Sequence, residues 1–203
     1  MKIISLVPVG YKESFSLHAC LESLKPISDE IIVLYDGDIN KDDISVKYSE
    51  KFTDKIYFNN HNIYNFNSSK LRNKLLSLGR KHDGTHYIFL DADEAFSNNF
   101  IKYGRELISK LKRGQKYFMK WVSMWKSYNY YRSDNKSIWS PKFKDFIVCD
   151  DFISKFNEDI KFHESRTFGS NDSAKYINED KGYVLHYQFS NWDNFLNKQS
   201  YYM

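Results

Sequence analysis

The sequence predicts an α/β fold, a mostly parallel central sheet flanked by helices. Three observations carry this. Strand-like apolar runs alternate with amphipathic helical stretches through the first hundred residues, the pattern of parallel strands joined by crossover helices. Acidic residues stand where two of those strands end, Asp36 after the second and Asp91, Asp93 and Glu94 after the fourth; open parallel sheets bind ligands at their carboxyl ends. Finally, 203 residues with 41% hydrophobic content suit one compact core across 1–203,.

Each element follows in order. Ile3 to Val9 reads as the first strand, and Ser14 to Leu24 as a helix with Leu17, Cys20, Leu21 and Leu24 on one face and Pro26 beyond its end,. Glu30 to Tyr35 is a buried strand closed by Asp36-Gly37-Asp38, and Lys55 to Phe58 a short third strand,. Ser68 or Ser69 is expected to cap a helix carrying Leu71, Leu75 and Leu78, followed by a fourth strand, Tyr87 to Leu90,. Residues 1–97 form the regular half of the chain. The remainder, 98–203, reads as less regular: a helix near Phe100 to Leu111, an aromatic strand Tyr117 to Trp125, a loop-rich stretch, a last strand Tyr183 to Phe189, and an amphipathic helix over Asn191 to Met203.

Composition narrows the function. A formal charge of +4 is too small to imply nucleic-acid binding without clustering,. Eight basic residues between Lys102 and Lys126 face one acid, Glu106; they fit first a solvated face, and after it an anionic acceptor or peripheral contact with a phosphate-rich membrane. Cys20 and Cys149 match no metal or disulfide spacing, which suits a reducing, cytoplasmic setting,. The N-terminus lacks a signal-peptide pattern, and no apolar run approaches the ~20 residues of a membrane span,.

Asp91-x-Asp93 at a strand end carries the chemistry. Two carboxylates on one side of an extended backbone repel unless a cation joins them. Hard oxygen ligands with open positions suit Mn²⁺ or Mg²⁺, which would neutralise a diphosphate leaving group. Trp121, Trp125 and Trp139 with Tyr128, Tyr130 and Tyr131 form an aromatic belt on which an acceptor sugar could stack, although strand burial also explains Trp121 and Trp125,.

Several blocks together resemble the family 2 glycosyltransferases. SLVPVGYKESFSLHACLESL is similar to that family's first strand, loop and helix, with Pro8, Tyr11 and Glu13 in matching positions. EIIVLYDGD resembles its second strand and acidic turn, with Tyr35 in place of the first acid; SSKLRNKLLSLGRKHDGTHYIFLDADE resembles the helix, fourth strand and D-x-D segment, with Arg72 and Asn73 matching. The blocks keep the family's order over roughly half the chain. The resemblance implies a GT-A fold with a donor-binding half, 1–97, and an acceptor-side half, 98–203. It implies a UDP-sugar donor, a UDP-hexose such as UDP-glucose, a hydroxyl acceptor and inversion. Pro8, Tyr11, Glu13 and Asp36 would surround the nucleoside, Arg72 would lie near the donor phosphates or sugar, Asp91 near ribose or metal, and Asp93 on the metal. Val9 and Ala92, within the same motifs, count among the donor-contacting residues. His163-Glu164 and Leu185-His186-Tyr187 resemble late H-E and L-H-Y elements, making His186 the third candidate metal ligand,. An inverting transfer needs a general base; Glu164 is the first candidate, with Asp150, Asp151 and the Glu158-Asp159 pair competing.

Other readings compete. A haloacid-dehalogenase phosphatase carries its acidic motif after the first strand, whereas three strands precede this one. A sugar nucleotidyltransferase should carry a Gly-rich, Arg-containing loop where this chain has Val9-Gly10-Tyr11-Lys12-Glu13. A non-catalytic module binding carbohydrate or single-stranded nucleic acid is the alternative from another class.

Overall fold

The structure is a computed structural model. It describes every residue except 11–13, 38–42, 60–66, 135, 138, 161–164, 194 and 197–203, with 14 and 15 described in backbone alone. The elements run β1 (Ile3–Val9), α1 (Ser14–Leu24), β2 (Glu30–Asp36), α2 (Ile44–Ser49), β3 (Ile56–Asn59), α3 (Ser68–Lys81), β4 (His86–Phe89), β5 (Glu94–Phe96), α4 (Asn98–Ile108), β6 (Lys116–Ser123), β7 (Lys142–Cys149), β8 (Ala174–Tyr176) and β9 (Val184–His186).

Among the described residues, nine strands form one sheet in the order β3-β2-β1-β4-β7-β6-β9-β5, with β8 also on β6. The strands β3, β2, β1 and β4 are mutually parallel, β7 is antiparallel to both β4 and β6, and β6 is parallel to β8 and β9. One edge of β6 is shared, β8 covering Lys116 to Phe118 and β9 covering Trp121 to Ser123. Side chains of β1 alternate between two cores: Ile3, Val7 and Val9 join α1 and α4, while Ile4 and Leu6 join Leu71, Leu75 and Leu76 of α3. Burial on both faces is why β1 and β2 read as continuous apolar runs.

Several expectations need correction. The cap of α3 is Asn67, whose side chain accepts from Lys70 N–H, not Ser68 or Ser69. The stretch expected to be loop-rich contains β7, one of the longest strands. Its first three residues, Lys142 to Lys144, are incompletely buried and set lysines on either side of Phe143, which hid it. The expected helix over Asn191 to Met203 lies partly outside the described residues. The basic residues of 102–126 form no uniform face: Lys116 is buried against Asp145, while Lys110 pairs with Glu106 and Lys120 with Glu179. Among the described residues, no helix is long and apolar enough to cross a membrane.

Candidate functional site

Strand β4 stops at Phe89, and the chain turns, with Glu94 N–H donating to Asp91 C=O at 3.0 Å. The turn is gripped from α1. Ser16 Oγ donates to Ala92 C=O at 3.1 Å, Cys20 Sγ lies 3.6 Å from Asp91 C=O, and Ser23 Oγ accepts Phe96 N–H at 3.1 Å. Small side chains four and three residues apart share one helix face, so a single stripe fixes the backbone of 91–96. Burial pushes the Cys20 thiol well up, and the nearby carboxylates of Glu94, Asp93 and Asp91 add to this, so it is an inert packing group,.

Because the segment is a turn, Asp91 and Asp93 do not stand side by side on an extended backbone as expected; they part. Asp91 Oδ2 accepts from Arg166 Nη1 at 2.6 Å, and Oδ1 lies 3.6 Å from Arg72 Nη2. Burial raises the Asp91 carboxyl, but the Arg166 and Arg72 charges outweigh it and hold it below its ordinary range,. Glu94, fully buried, accepts from Arg166, from its own turn through Asp91 N–H at 3.0 Å, and from Trp121 Nε1–H at 2.7 Å. For Glu94 burial wins over Arg166, and its carboxyl is pushed up.

Arg166 carries no motif signal in the sequence, and its position is set from β7. Asp145 accepts Arg166 N–H at 3.0 Å, Thr167 N–H at 3.1 Å and Thr167 Oγ1 at 2.5 Å, and lies 3.4 Å from the buried Lys116 ammonium. A buried carboxylate thus pins the loop that delivers the guanidinium.

The other acid meets His186. The antiparallel register of β5 and β9 sets Glu94 opposite His186, and Tyr187 N–H donates to Asp93 C=O at 2.8 Å. Asp93 Oδ2 and His186 Nε2 are 3.5 Å apart, both residues buried. That is long for a hydrogen bond and near the ~3 Å between adjacent ligands of one octahedral ion with ~2.1 Å bonds. His186 Nδ1 is buried without a hydrogen-bond partner. Among the described residues no three His, Cys, Asp or Glu side chains group to hold a metal; Asp91 is engaged by Arg166 and Arg72, and Asp93 Oδ2 lies beside His186 Nε2.

Of the residues expected to surround a nucleoside, Pro8 and Val9 end β1. Asp36 is buried at the end of β2 and accepts from Asn59 Nδ2, while Asn59 Oδ1 accepts from Lys74 Nζ at 2.8 Å. Gly37 then turns with φ 109°, a value that favours glycine,. Tyr11, Glu13 and the base candidate Glu164 lie outside the described residues.

Two other base candidates lie elsewhere. Asp150 N–H donates to Thr85 C=O at the opposite end of β4 from Asp91, six residues or on the order of 20 Å away. Its carboxylate is clasped by Arg80 through two 2.8 Å bonds. Asp151 accepts from Ile153 N–H at 2.9 Å, Ser154 N–H at 2.7 Å and Ser154 Oγ at 2.5 Å. Neither joins the Asp91 cluster. Glu158 is exposed and accepts from Asn73 at 2.8 Å. In the aromatic belt, Trp121 is an internal donor to Glu94, Trp125, Trp139 and Trp192 gather on or around Phe189, and Tyr128, Tyr130 and Tyr131 are exposed.

No protein family and no curated protein matches the chain. Solved structures do. TarS from S. aureus superposes with a TM-score of 0.60 and 16% identity over 92% of this chain and 37% of TarS, so the chain spans little more than a third of that protein. TarS 1–349 in complex with UDP gives 0.58 and 18% over 92% of this chain and 60% of that one. A putative glucose-1-phosphate thymidylyltransferase from Bacillus anthracis gives 0.53 and 8% over 98% and 95%. At such identities the likeness is one of fold, and the chain carries the mostly parallel, GT-A-like α/β fold common to these proteins.

Proposed function

We propose that the protein is a glycosyltransferase that moves a sugar from a UDP-sugar, a UDP-hexose such as UDP-glucose, to a hydroxyl acceptor with inversion. The observation that carries this reading is the split acid turn. Asp91 is neutralised by Arg72 and Arg166, leaving Asp93 and His186 to face each other at the carboxyl end of the parallel strands, where such sheets bind ligands. The UDP held by a protein of the same fold supports a nucleotide diphosphate as ligand.

In this reading Pro8, Val9, Tyr11, Glu13 and Asp36 receive the nucleoside, Ala92 lies in the donor-facing turn, and Arg72 and Arg166 orient Asp91 beside the donor. Asp93 and His186 would hold Mn²⁺ or Mg²⁺, which when bound offsets charge on the departing diphosphate. Glu164, two positions before Arg166 in sequence, is the base that takes the acceptor proton. Tyr128, Tyr130 and Tyr131 offer exposed rings to a carbohydrate acceptor,.

Calorimetry of UDP, with GDP as control, in Mn²⁺ and in EDTA tests the reading. Metal-dependent UDP binding that Asp93→Ala abolishes supports it; no nucleotide binding in any condition overturns it. The near full-length match to a thymidylyltransferase favours a second reading, nucleotidyl transfer. Product analysis separates them: UDP release from a UDP-sugar against pyrophosphate release from a nucleoside triphosphate and a sugar phosphate. Nucleotide binding with neither product would leave the non-catalytic module.

A further inference from the structure

Lys144 stands in this site without an acid of its own. Strand β7 pairs with β4 through Tyr87–Val148 and Ile88–Ile147, and Lys144 pairs with Met119 of β6, two residues from Trp121. Its Nζ lies 3.5 Å from the centroid of the Trp121 ring, whose N–H holds Glu94. The same indole packs on His186, with ring centroids 4.4 Å apart. One indole therefore touches both the metal-side histidine and this ammonium.

The carboxylates nearby are already engaged, Asp91 by Arg166 and Arg72 and Glu94 by Arg166 and Trp121. Two arginines balance two acids. Among the described residues the Lys144 side chain has ring contact with Trp121 and no hydrogen bond or ion pair. Burial lowers its ammonium to about 8, repulsion from Arg166 adds to this, and the Glu94 and Asp91 charges oppose it. A half-buried cation beside a second, fixed cation is unfavourable until an anion arrives. An anion placed against this indole would meet Lys144 as well as an ion held by Asp93 and His186.

We propose that Lys144 is a phosphate-binding residue of the donor site, forming an ion pair with the diphosphate of the nucleoside diphosphate donor. This rests on the donor-site reading above. Arg72 and Arg166 shape the site through Asp91 and Glu94, whereas Lys144 supplies the uncompensated positive charge.

The test is calorimetry of UDP and uridine in Mn²⁺ with wild type, Lys144→Met and Lys144→Arg, each checked for unchanged thermal unfolding. Loss of a charge-assisted contact should weaken UDP about tenfold or more in Lys144→Met, with uridine unaffected and Lys144→Arg restoring most of the affinity. UDP, but not uridine, should also slow acetylation of Lys144 in wild type, read by mass spectrometry. Equal UDP affinity in wild type and Lys144→Met overturns the role of Lys144 alone. Equal weakening of UDP and uridine also overturns it, since the lysine would then be structural. Failure of wild type to bind UDP overturns the donor-site reading and this proposal with it.

Discussion

Arg166 Nη1 lies 2.6 Å from Asp91 Oδ2, joining residues 75 positions apart in sequence. The guanidinium also meets the fully buried Glu94 at 2.6 Å. Removing one partner of a buried pair leaves the other charge stranded, at a cost of about 3–5 kcal/mol. Arg166→Ala should therefore lose stability on that scale in urea unfolding and lose UDP affinity as well, whereas a role confined to folding would spare the affinity of the folded fraction.

Asp145 acts one step earlier, because it holds the loop bearing Arg166 and faces buried Lys116. Asp145→Ala should destabilise by about 3–5 kcal/mol, since the buried Lys116 ammonium loses the carboxylate it faces,. Adding Lys116→Met should recover part of the loss. A double-mutant cycle on urea midpoints measures the coupling, and additive losses would contradict the pairing.

Asp151 separates structure from catalysis. Burial raises its carboxyl, but its bonds from Ser154 and from the Ile153 and Ser154 N–H groups win and hold it low. A carboxyl lowered on folding binds fewer protons than in the unfolded chain, whose value is ~3.9. Its contribution is thus present above that value and fades as pH falls through the lower, folded one. Asp151→Ala should cost about 1–3 kcal/mol near neutrality and less at strongly acid pH, with the proposed transfer activity of the folded protein unchanged. A large loss of kcat would return Asp151 to the list of bases.

Gly79 packs α3 against Tyr87. A Cβ there would lie 2.6 Å from Tyr87 Cε1, and that ring is fully buried and fixed by its hydroxyl bond to Gly84 C=O at 2.9 Å. Alanine would gain about 1 kcal/mol of helix propensity, against about 1–3 kcal/mol for overpacking. Gly79→Ala should therefore lower the melting temperature, and a rise would show that the ring yields.

Much of the fold was legible because β1, α1 and β2 bury whole faces and so carry unbroken patterns. The strands β5 and β9 were harder. Three residues each are too few for periodicity, and Glu94 places a charge in what is a buried strand. Helix α2 is six residues long and rests on a local Asp43 cap. At the site, Asp91, Asp93 and His186 could be found as candidates from motif and chemistry. Their division could not, because the turn is set by Ser16, Cys20 and Ser23 some seventy residues earlier, and Arg166 by a carboxylate on another strand.

The pairing of β5 with β9 makes the histidine beside the acid turn a matter of parity. Along a strand, neighbours point to opposite faces, so His186 faces the Trp121 indole only while Glu94 stays opposite it. A one-residue slip of β9 against β5 would offer Leu185 or Tyr187 to that face instead,. The spacing of this short ribbon thus determines whether the turn has an imidazole beside it, even with every side chain of the site present.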